Sequence, residues 1–278
     1  MGRIGPDGIL LIDKEEGQPS YGVVKEVKSA LKGSQVGKVG HAGTLDPFAT
    51  GLLIILLGQG TKISQWVMSQ DKIYLATMRL GVETDTLDPT GQVVRTSVVP
   101  DLDPGFIREK SRSFIGPIEQ VPPRFSAVKY KGTRAYKLAR RGMAVDLKKR
   151  TVMVHSLSIL SVNLPDVTME IRCSSGTYVR SLAADLGRVL GPGGHLGSLR
   201  RLASGSFEVR NALKQSEIRA GGGPALLDRV IFLRAALPQA PEIDVDRQTA
   251  RKVRQGGRPD WNGLKKEQAP AFEKEGHA

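Results

Sequence analysis

Short apolar runs and alternating stretches along the chain predict its β-strands. They are GILLID (8–13), LLIILLG (52–58), IYLATMRLG (73–81) and VTMEIRC (167–173). The first two are unbroken apolar runs beside glycine, as in buried strands, whereas the last two alternate apolar and polar positions. Because side chains alternate between the two faces of a strand, Tyr74, Ala76 and Met78 are expected on one face.

Helical periodicity marks three further stretches, at 21–33, 101–116 and 179–191. Ser20 stands in the N-cap position of the first of these helices, and Gly33 is its predicted stop. Asp103-Pro104 is a typical start for the second. The apolar face predicted for the third consists of Val179, Leu182, Ala183, Leu186 and Leu190.

The segments between these elements carry turn and loop signals. DPTG (88–91) has the composition of a tight turn, so residues 73–98 are predicted to form a hairpin. Residues 200–209 indicate a loop that leads into a strand, and 120–142 is broken by prolines before it becomes basic and helical. Since strands and helices mix without regular alternation, the predicted fold class is α+β.

Two parts of the chain differ in character. Residues 1–238 are predicted to form one domain, with a basic insert at about 120–150. Residues 239–278 are predicted to be a short C-terminal segment, in which 241–259 forms a small unit and EKEGHA is a disordered tail.

The net charge of the chain indicates which kind of molecule it binds. The chain of 278 residues has 41 Lys and Arg against 28 Asp and Glu, for a net charge of +13 and a pI near 10.0. Such an excess favours a polyanion, with nucleic acid first and a membrane surface second. The single cysteine, Cys173, permits no intrachain disulfide and fits no zinc motif. No apolar run is long enough to span a bilayer and no signal peptide is evident, so a cytoplasmic protein without membrane contact is expected.

The stretch HAGTLDPFATG (41–51) is the strongest candidate for chemistry. Asp46 followed by Pro47 is a common helix start, which is the simpler interpretation. The alternative is a catalytic carboxylate, either a nucleophile or a base, on a loop anchored by the following strand. Gly43 and Gly51 would permit close approach of a ligand, and His41 adds a ring that can stack or hydrogen-bond.

A carboxylate in a closed site needs a cation to stay ionised, and Arg180 is the best candidate. It stands at the start of a predicted helix and off its apolar face, where a cation is unfavourable unless another group holds it. Tyr74 on its predicted strand is either a core residue or part of the same cleft. Lys62 alone suggests a surface lysine, and Asp85 and Asp88 are most simply turn residues.

Residues 129–150 hold nine Lys and Arg and one acid. In helical form, Arg134, Lys137 and Arg141 share a face while Ala135, Leu138 and Ala139 pack, and Tyr130 and Tyr136 lie between the cations. Cations interleaved with tyrosines are typical of a surface that follows phosphates and stacks bases.

Together these stretches resemble the bacterial tRNA pseudouridine-55 synthases, the TruB family. The matching pieces run from residue 8 to about 215, and they are GILLIDKEEG, VGKVGHAGTLDPFATGLLIILLGQGTK, DKIYLATMRLGVETDTLDPTG, GPIEQVPPRFSAVKYKGTRAYKLARRG, IRCSSGTYVRSLAADLG and LRRLASGSF. The resemblance implies a pseudouridine-synthase core with a mixed, mostly antiparallel sheet. It also implies isomerisation of uridine 55 in the T loop of tRNA by base flipping, without a metal or an organic cofactor.

The resemblance carries over roles for individual residues. Asp46 matches the nucleophile, Arg180 its partner, and Tyr74 the residue that stacks on the target base and accepts a proton. His41 matches a residue that fills the space left by the flipped nucleotide. The remaining expected substrate or RNA contacts are Gly43, Lys62, Asp88, Lys129, Arg141, Tyr178 and Leu199. The implied partner is the T arm of tRNA, with a monomeric protein and no obligate protein partner.

The sequence departs from the family pattern in two places. The DKP opening of the family is here DKEEGQPS (13–20), a loop expected to lie away from the chemical groups. The family's C-terminal RNA-binding domain is of the PUA type, and IDVDRQTARKVRQGGRP resembles only the beginning of such a domain, so a reduced domain with weaker contacts to the acceptor arm is expected.

Two other function classes compete with this one. A non-catalytic RNA-binding protein or RNA chaperone would explain the charge and the tyrosines, but it makes no use of Asp46, Tyr74 and Arg180. An aspartyl-phosphate phosphotransferase would use Asp46, but such chemistry recruits Mg²⁺ through further carboxylates. Asp85 and Asp88 are the nearest supply.

Overall fold

A computed structural model describes residues 5–130, 132–143, 145–237 and 243–259 of the chain. By its internal contacts the chain divides into two units, Met1–Leu233 and Arg234–Ala278. The predicted tail EKEGHA lies outside the described residues, as do both ends of the predicted segment 239–278. No helix in the described ranges is both long and apolar enough to cross a membrane.

The strands are β1 (Gly8–Lys14), β2 (Val39–Ala42), β3 (Thr50–Leu57), β4 (Lys72–Leu80), β5 (Val82–Thr84), β6 (Val93–Thr96), β7 (Gly116–Gln120), β8 (Lys129–Tyr130), β9 (Thr133–Arg134), β10 (Arg150–Asn163), β11 (Asp166–Cys173), β12 (Gly194–Ser204), β13 (Phe207–Glu208), β14 (Leu213–Lys214) and β15 (Ile231–Phe232). The helices are α1 (Ser20–Ala30), α2 (Ser64–Ser69), α3 (Pro104–Arg112), α4 (Ala135–Ala139), α5 (Val179–Leu190), α6 (Gln215–Leu227), α7 (Leu233–Ala236) and α8 (Arg247–Arg254). Gly58–Ile63 and Val209–Asn211 form 3-10 turns.

Within the described residues, eleven strands form one sheet in the order β14-β1-β3-β12-β4-β11-β10-β7, with β13 on β12, β15 on β1 and β2 on β3. The β1–β14 and β3–β12 pairs are parallel and the other pairs are antiparallel. The predicted α+β class and the mixed, mostly antiparallel sheet are therefore confirmed. One apolar core lies against this sheet and includes the buried faces of α1 and α5.

The periodicity located several elements well. The two unbroken runs became β1 and β3, whose apolar side chains are almost fully buried. On β4, Tyr74, Ala76 and Met78 share the buried face as predicted. Asp103 caps α3, because its Oδ2 accepts from Phe106 N at 2.9 Å.

Three local predictions were wrong. Residues 73–98 do not form one hairpin, because β4 pairs with β11 and β12 while the return strand β6 pairs with β5. Residues 200–204 are not a loop but the end of the central strand β12. Ser20 is the first residue of α1 rather than its cap, since its hydroxyl is used elsewhere.

The insert is only partly helical. A short hairpin of β8 and β9 precedes the five-residue α4. Its small separate core consists of Ala135, Val145 and Leu147, with Leu138 packed against it. Arg134, Lys137 and Arg141 remain exposed, so the cations are displayed as predicted.

In the second unit, α8 is an exposed basic helix. Its cap is Asp246, whose Oδ1 accepts from Thr249 N at 2.6 Å. This helix falls within the predicted unit 241–259.

Candidate active site

The guanidinium of Arg180 is the hub of the site. The side chain leaves the first turn of α5 and is only 4% exposed. Nη1 donates to Thr86 O at 3.0 Å and to Asp88 Oδ2 at 3.1 Å. Nη2 donates to Phe125 O at 3.0 Å and to Asp46 Oδ1 at 3.3 Å. Nε lies 3.0 Å from Asp46 Oδ2, an ion-pair contact without hydrogen-bond alignment. The structure therefore supplies the partners that a cation at a helix start requires.

Asp88 is the buried anion that holds the Arg180 guanidinium in place. Its Oδ1 accepts from Thr86 Oγ1 at 2.7 Å, from Thr90 Oγ1 at 2.6 Å and from Thr90 N at 3.0 Å. Its Oδ2 is left for Arg180. These donors, together with Arg180, offset the cost of burying the carboxylate. The turn at 88–91 thus also positions an ion-pair partner.

Asp46 is the accessible carboxylate of the pair. Its side chain is 33% exposed, whereas that of Asp88 is 5% exposed. Burial raises the pKa of Asp46 above its ordinary value, and the negative charge of Asp88 raises it further, while Arg180 and Lys14 oppose both effects. The arrangement holds a carboxylate against a fixed cation and leaves it open to a ligand.

The loop that carries Asp46 is a tight turn and not a helix start. Ala49 N donates to Asp46 O at 3.1 Å, and β3 begins at Thr50. Ser20 Oγ accepts from Leu45 N at 2.8 Å and donates to Leu45 O at 2.9 Å, which pins the loop to α1. The predicted helix start at Asp46-Pro47 was therefore wrong.

The DKEEGQPS loop lies against this turn, contrary to the expectation that it lies away from the chemical groups. Lys14 is 1% exposed, and its Nζ donates to Pro47 O at 3.1 Å as well as to Gln18 O at 2.7 Å. Gly17 N also donates to Pro47 O, at 2.8 Å. Burial lowers the pKa of Lys14 to about 8, with Asp46 acting in the opposite direction.

Tyr74 lies on the buried face of β4 and is 9% exposed. Burial raises the pKa of the Tyr74 phenol. The positive charge of Arg201 opposes the rise, and the negative charge of Asp46 adds to it. The structure thus brings Tyr74 into the same electrostatic environment as Asp46.

Arg201 is the residue of this site that the sequence did not reveal. It is 2% exposed and donates through Nε to Leu52 O at 2.7 Å and through Nη2 to Gly43 O at 3.0 Å. No local signal distinguishes it from Arg200, which pairs with Asp13 at 2.6 Å instead. Only the pairing of β12 shows which of the two arginines faces the site.

Other predicted residues lie around this centre. Gly43 has a φ of +88°, a conformation that favours glycine, and His41 precedes it on β2. Nδ1 of His41 has no hydrogen-bond partner among the described residues, and burial and Arg201 lower the pKa of its ring. Leu199 is 8% exposed on β12, opposite Ala76 of β4.

Tyr178 precedes α5 and is clamped through its backbone. Gln120 Nε2 donates to Tyr178 O at 2.9 Å, and Tyr178 N donates to Gln120 Oε1 at 2.7 Å. The guanidinium carbon of Arg150 lies 4.6 Å from the centre of the Tyr178 ring. Ser181 Oγ donates to Val121 O at 2.9 Å, so the start of α5 is joined to the beginning of the insert.

Three predicted residues lie apart from the centre. Lys62 lines a cavity of about 450 Å³ together with Asp7, Lys38 and Gln59 among other residues. Arg141 is exposed in the turn after α4. Lys129 lies on β8, and its side chain is outside the described part of the structure. Nothing in the described geometry brings these three cations to Asp46.

The site and fold can be compared with known proteins. Residues 28–179 match the family profile described as TruB family pseudouridylate synthase (N terminal domain). Residues 180–231 match the tRNA pseudouridylate synthase B C-terminal domain. The class that fold and site define is therefore that of the pseudouridine synthases.

Individual relatives give the same result. The chain is 44% identical over 267 residues to tRNA pseudouridine synthase B of Syntrophus aciditrophicus, covering 96% of this chain and 84% of that one. It is 43% identical to the protein of that name from Geobacter sulfurreducens, over 91% and 83% of the two chains. The chain belongs to the TruB family of pseudouridine synthases.

Solved structures share the fold. A chain of a Cbf5-Nop10-Gar1 complex superimposes with a TM-score of 0.69 at 26% identity, covering 91% of this chain and 68% of that one. A chain of an H/ACA RNP bound to a substrate RNA gives a TM-score of 0.65 at 24% identity, covering 90% and 67%. The latter similarity shows the fold alone.

Proposed function

We propose that this protein converts uridine 55 in the T loop of tRNA into pseudouridine. Family membership supplies the reaction class. The observation that carries the chemistry is the half-open Asp46 carboxylate held against the buried Arg180 guanidinium. A non-catalytic RNA-binding protein or RNA chaperone has no use for such a cluster, so the catalytic function is the better account of the site.

The reaction breaks the N1–C1′ bond and forms a C5–C1′ bond, while C5 loses a proton and N1 gains one. Asp46 supplies the carboxylate that initiates glycosidic cleavage, and Arg180 keeps that carboxylate oriented and favours its charged form. Tyr74, on the buried strand beside them, is assigned to stacking on the base and to accepting the proton. Asp88 does not contact the substrate in this scheme; it holds Arg180 in place.

The target base must leave the folded T loop before its glycosidic bond can be reached. Extrusion costs a few kcal/mol, which stacking and phosphate contacts can offset. We assign His41 to the space that the flipped nucleotide vacates, with Leu199, Gly43 and Tyr178 around the base. The exposed cations of the insert, including Arg141 and Lys129, and Lys62 at its own cavity are assigned to the RNA backbone.

The test is release of tritium from tRNA labelled at uridine C5, with and without Asp46→Asn. We expect the parent protein to release tritium and Asp46→Asn to release none while still binding tRNA. Asp85→Asn is the matched control, because Asp85 is a nearby turn residue that accepts only from Gln92 N, at 2.8 Å, among the described contacts. Release that persists in Asp46→Asn would disprove the nucleophile, and no release from any tRNA by the parent would disprove the function.

The tritium-release assay also tests the phosphotransferase alternative and the position of the target uridine. Tritium release that persists in EDTA would exclude the aspartyl-phosphate phosphotransferase, because that chemistry recruits Mg²⁺. A tRNA in which uridine 55 is replaced by cytidine should not react if the T arm is the target.

The protein is proposed to act as a monomer in the cytoplasm. Sedimentation with tRNA should therefore give a one-to-one complex. The affinity of that complex should fall steeply as the salt concentration rises, because lysines and arginines displace counterions from the RNA.

A further inference from the structure

Arg201 carries a buried charge that has no obvious structural reason. It is 2% exposed, yet no carboxylate lies within 4.0 Å of its guanidinium among the described residues. Its described hydrogen-bond acceptors are the Gly43 and Leu52 carbonyls, and its positive charge acts on the nearby Tyr74 phenol by lowering the pKa of that group. Burying a cation without an anionic partner is costly in free energy. An arginine at this position must therefore make interactions that an apolar residue could not make.

The two carbonyls belong to opposite ends of the loop that carries Asp46. Gly43 lies at its beginning, and Leu52 lies where β3 is already regular. One planar guanidinium therefore ties both ends of the loop to β12. A lysine, with its single nitrogen, could not reproduce this geometry.

The backbone is built around the same residue. Gly51 pairs with Arg201 and has a φ of +96°; a Cβ on Gly51 would lie 2.3 Å from Arg201 O. A Cβ on Gly43 would lie 3.3 Å from Arg201 Nη1. The glycines in HAGTLDPFATG thus let the loop close onto Arg201, in addition to any room they leave for RNA.

Tyr74 is the cross-strand neighbour of Arg201. The two residues are directly paired in the β4–β12 ladder, so their side chains leave the same face of the sheet. Arg201 thus lies between the two parts of the site: it donates hydrogen bonds to the loop of Asp46 and is the cross-strand neighbour of Tyr74.

We propose that Arg201 is a positioning residue for the isomerisation, whose guanidinium closes the loop of Asp46 and sets that loop against the Tyr74 hydroxyl. The inference rests on the proposed function, because it assigns Arg201 a part in that reaction. Arg201 acts through Asp46 and Tyr74 and touches no reacting atom itself.

Several charged or titratable groups face this pair. Cys173 on β11 and Asp46 both raise the pKa of Tyr74, against the lowering by Arg201. Around Arg201, Lys14 on β1, His41 on β2 and Lys72 on β4 all have their pKa lowered by its charge. Removing the Arg201 charge should therefore move the Tyr74 titration to higher pH.

The test compares Arg201→Met with the matched control Arg200→Met, which removes the adjacent arginine on the other face. Tyrosines labelled with ¹³C at Cζ are titrated by NMR, with Tyr74 assigned from Tyr74→Phe. We expect Arg201→Met alone to shift the Tyr74 titration upward. Single-turnover tritium release should fall about 100-fold, as for a catalytic group misplaced by about 1 Å. The Kd for tRNA should change less than about threefold, because phosphate contacts are untouched.

A folded Arg201→Met protein with an unmoved Tyr74 titration and an unchanged rate would overturn the proposal. If Arg201→Met does not fold, the arginine side-chain Nε–H signals of the Tyr74→Phe protein decide instead. The Arg201 signal should move when the hydroxyl is removed, and an unmoved signal would overturn the proposal. These NMR results do not need turnover, so a parent protein that releases no tritium would disprove the function without deciding the contact between Arg201 and Tyr74.

Discussion

Arg180 Nη1 donates to Asp88 Oδ2 at 3.1 Å, and the two side chains are only 4% and 5% exposed. Asp88 is itself held by three donors from Thr86 and Thr90. The position of Arg180 is therefore fixed independently of Asp46. The accessible carboxylate meets a preorganised cation, which is what electrostatic catalysis requires.

Asp88→Asn should remove the buried ion pair with Arg180 and so affect both stability and the pH dependence of the reaction. The amide oxygen can still accept from Thr86 and Thr90, but the charge opposite Arg180 is lost. Removing one partner of a buried ion pair costs about 3–5 kcal/mol, so stability should fall and Arg180 should be less well placed. Because the Asp88 charge raises the pKa of Asp46, the acidic limb of the pH–rate profile should also move to lower pH. Rates of tritium release against pH check both effects, with Asp85→Asn as the control; an unmoved acidic limb would contradict the coupling.

Asp46→Asn should be at least as stable as the parent at neutral pH. The pKa of Asp46 is raised in the folded state, so the folded protein binds this proton more tightly than the unfolded chain. The resulting stability is present below the ordinary aspartate pKa of about 3.9 and is lost as pH rises through the folded-state pKa. The stability of Asp46→Asn relative to the parent should therefore increase from pH 4 to pH 7 in urea titrations. A relative loss over that range would contradict the raised pKa.

Gln120→Ala should slow the reaction more than it weakens tRNA binding. The Gln120 side chain is 1% exposed and makes two hydrogen bonds to the Tyr178 backbone. Tyr178 O keeps its helical bond from Leu182 N at 3.1 Å, so the loss falls on the Tyr178 N–H, at a cost of at most about 1–3 kcal/mol. The start of α5, and with it Arg180, should shift, while the exposed cations of the insert are unchanged. A reduced kcat at a similar Kd is expected. Gln92→Ala, at an exposed glutamine, is the matched control; equal losses in both variants would refute a specific clamp.

Lys72 should make the stability of the protein depend on alkaline pH. Burial lowers its pKa to about 8, while its Nζ donates to the carbonyls of Met68 and Gln70. Its contribution is full above the ordinary lysine pKa of about 10.4 and is lost as pH falls through about 8. The Tm of the parent relative to Lys72→Met should therefore rise between pH 7.5 and pH 10. Lys32→Met, at an exposed lysine, should give a difference that does not vary with pH in this way.

The parts of the fold that could be predicted are those specified by local pattern. Unbroken apolar runs located β1 and β3, and the 3.6-residue periodicity located α5 with Arg180 on its first turn. Resemblance then connected Asp46 with Arg180, which are 134 positions apart and meet in the structure. Their assigned roles in catalysis remain predictions.

Long-range pairing could not be predicted from local pattern. β12 contains glycines, serines and two arginines, so it lacks the apolar signal of a central strand. Because β12 was not predicted as a strand, β4 was expected to pair with the segment that follows it. For the same reason Arg201 could not be distinguished from Arg200. The loop of Asp46 was misjudged for a similar reason, because Ser20, Lys14 and Arg201 shape it from distant parts of the chain.

The position of β12 also bears on how the protein matures. β3 and β4 follow one another in sequence, but in the sheet β12 lies between them. On the ribosome, the strands that carry the two sides of the site emerge early, while the strand that joins them is made only after most of the chain has been synthesised. Nascent chains that end before residue 204 therefore have no complete active site, and enzyme activity in a translation time course should appear only after β12 has emerged from the exit tunnel.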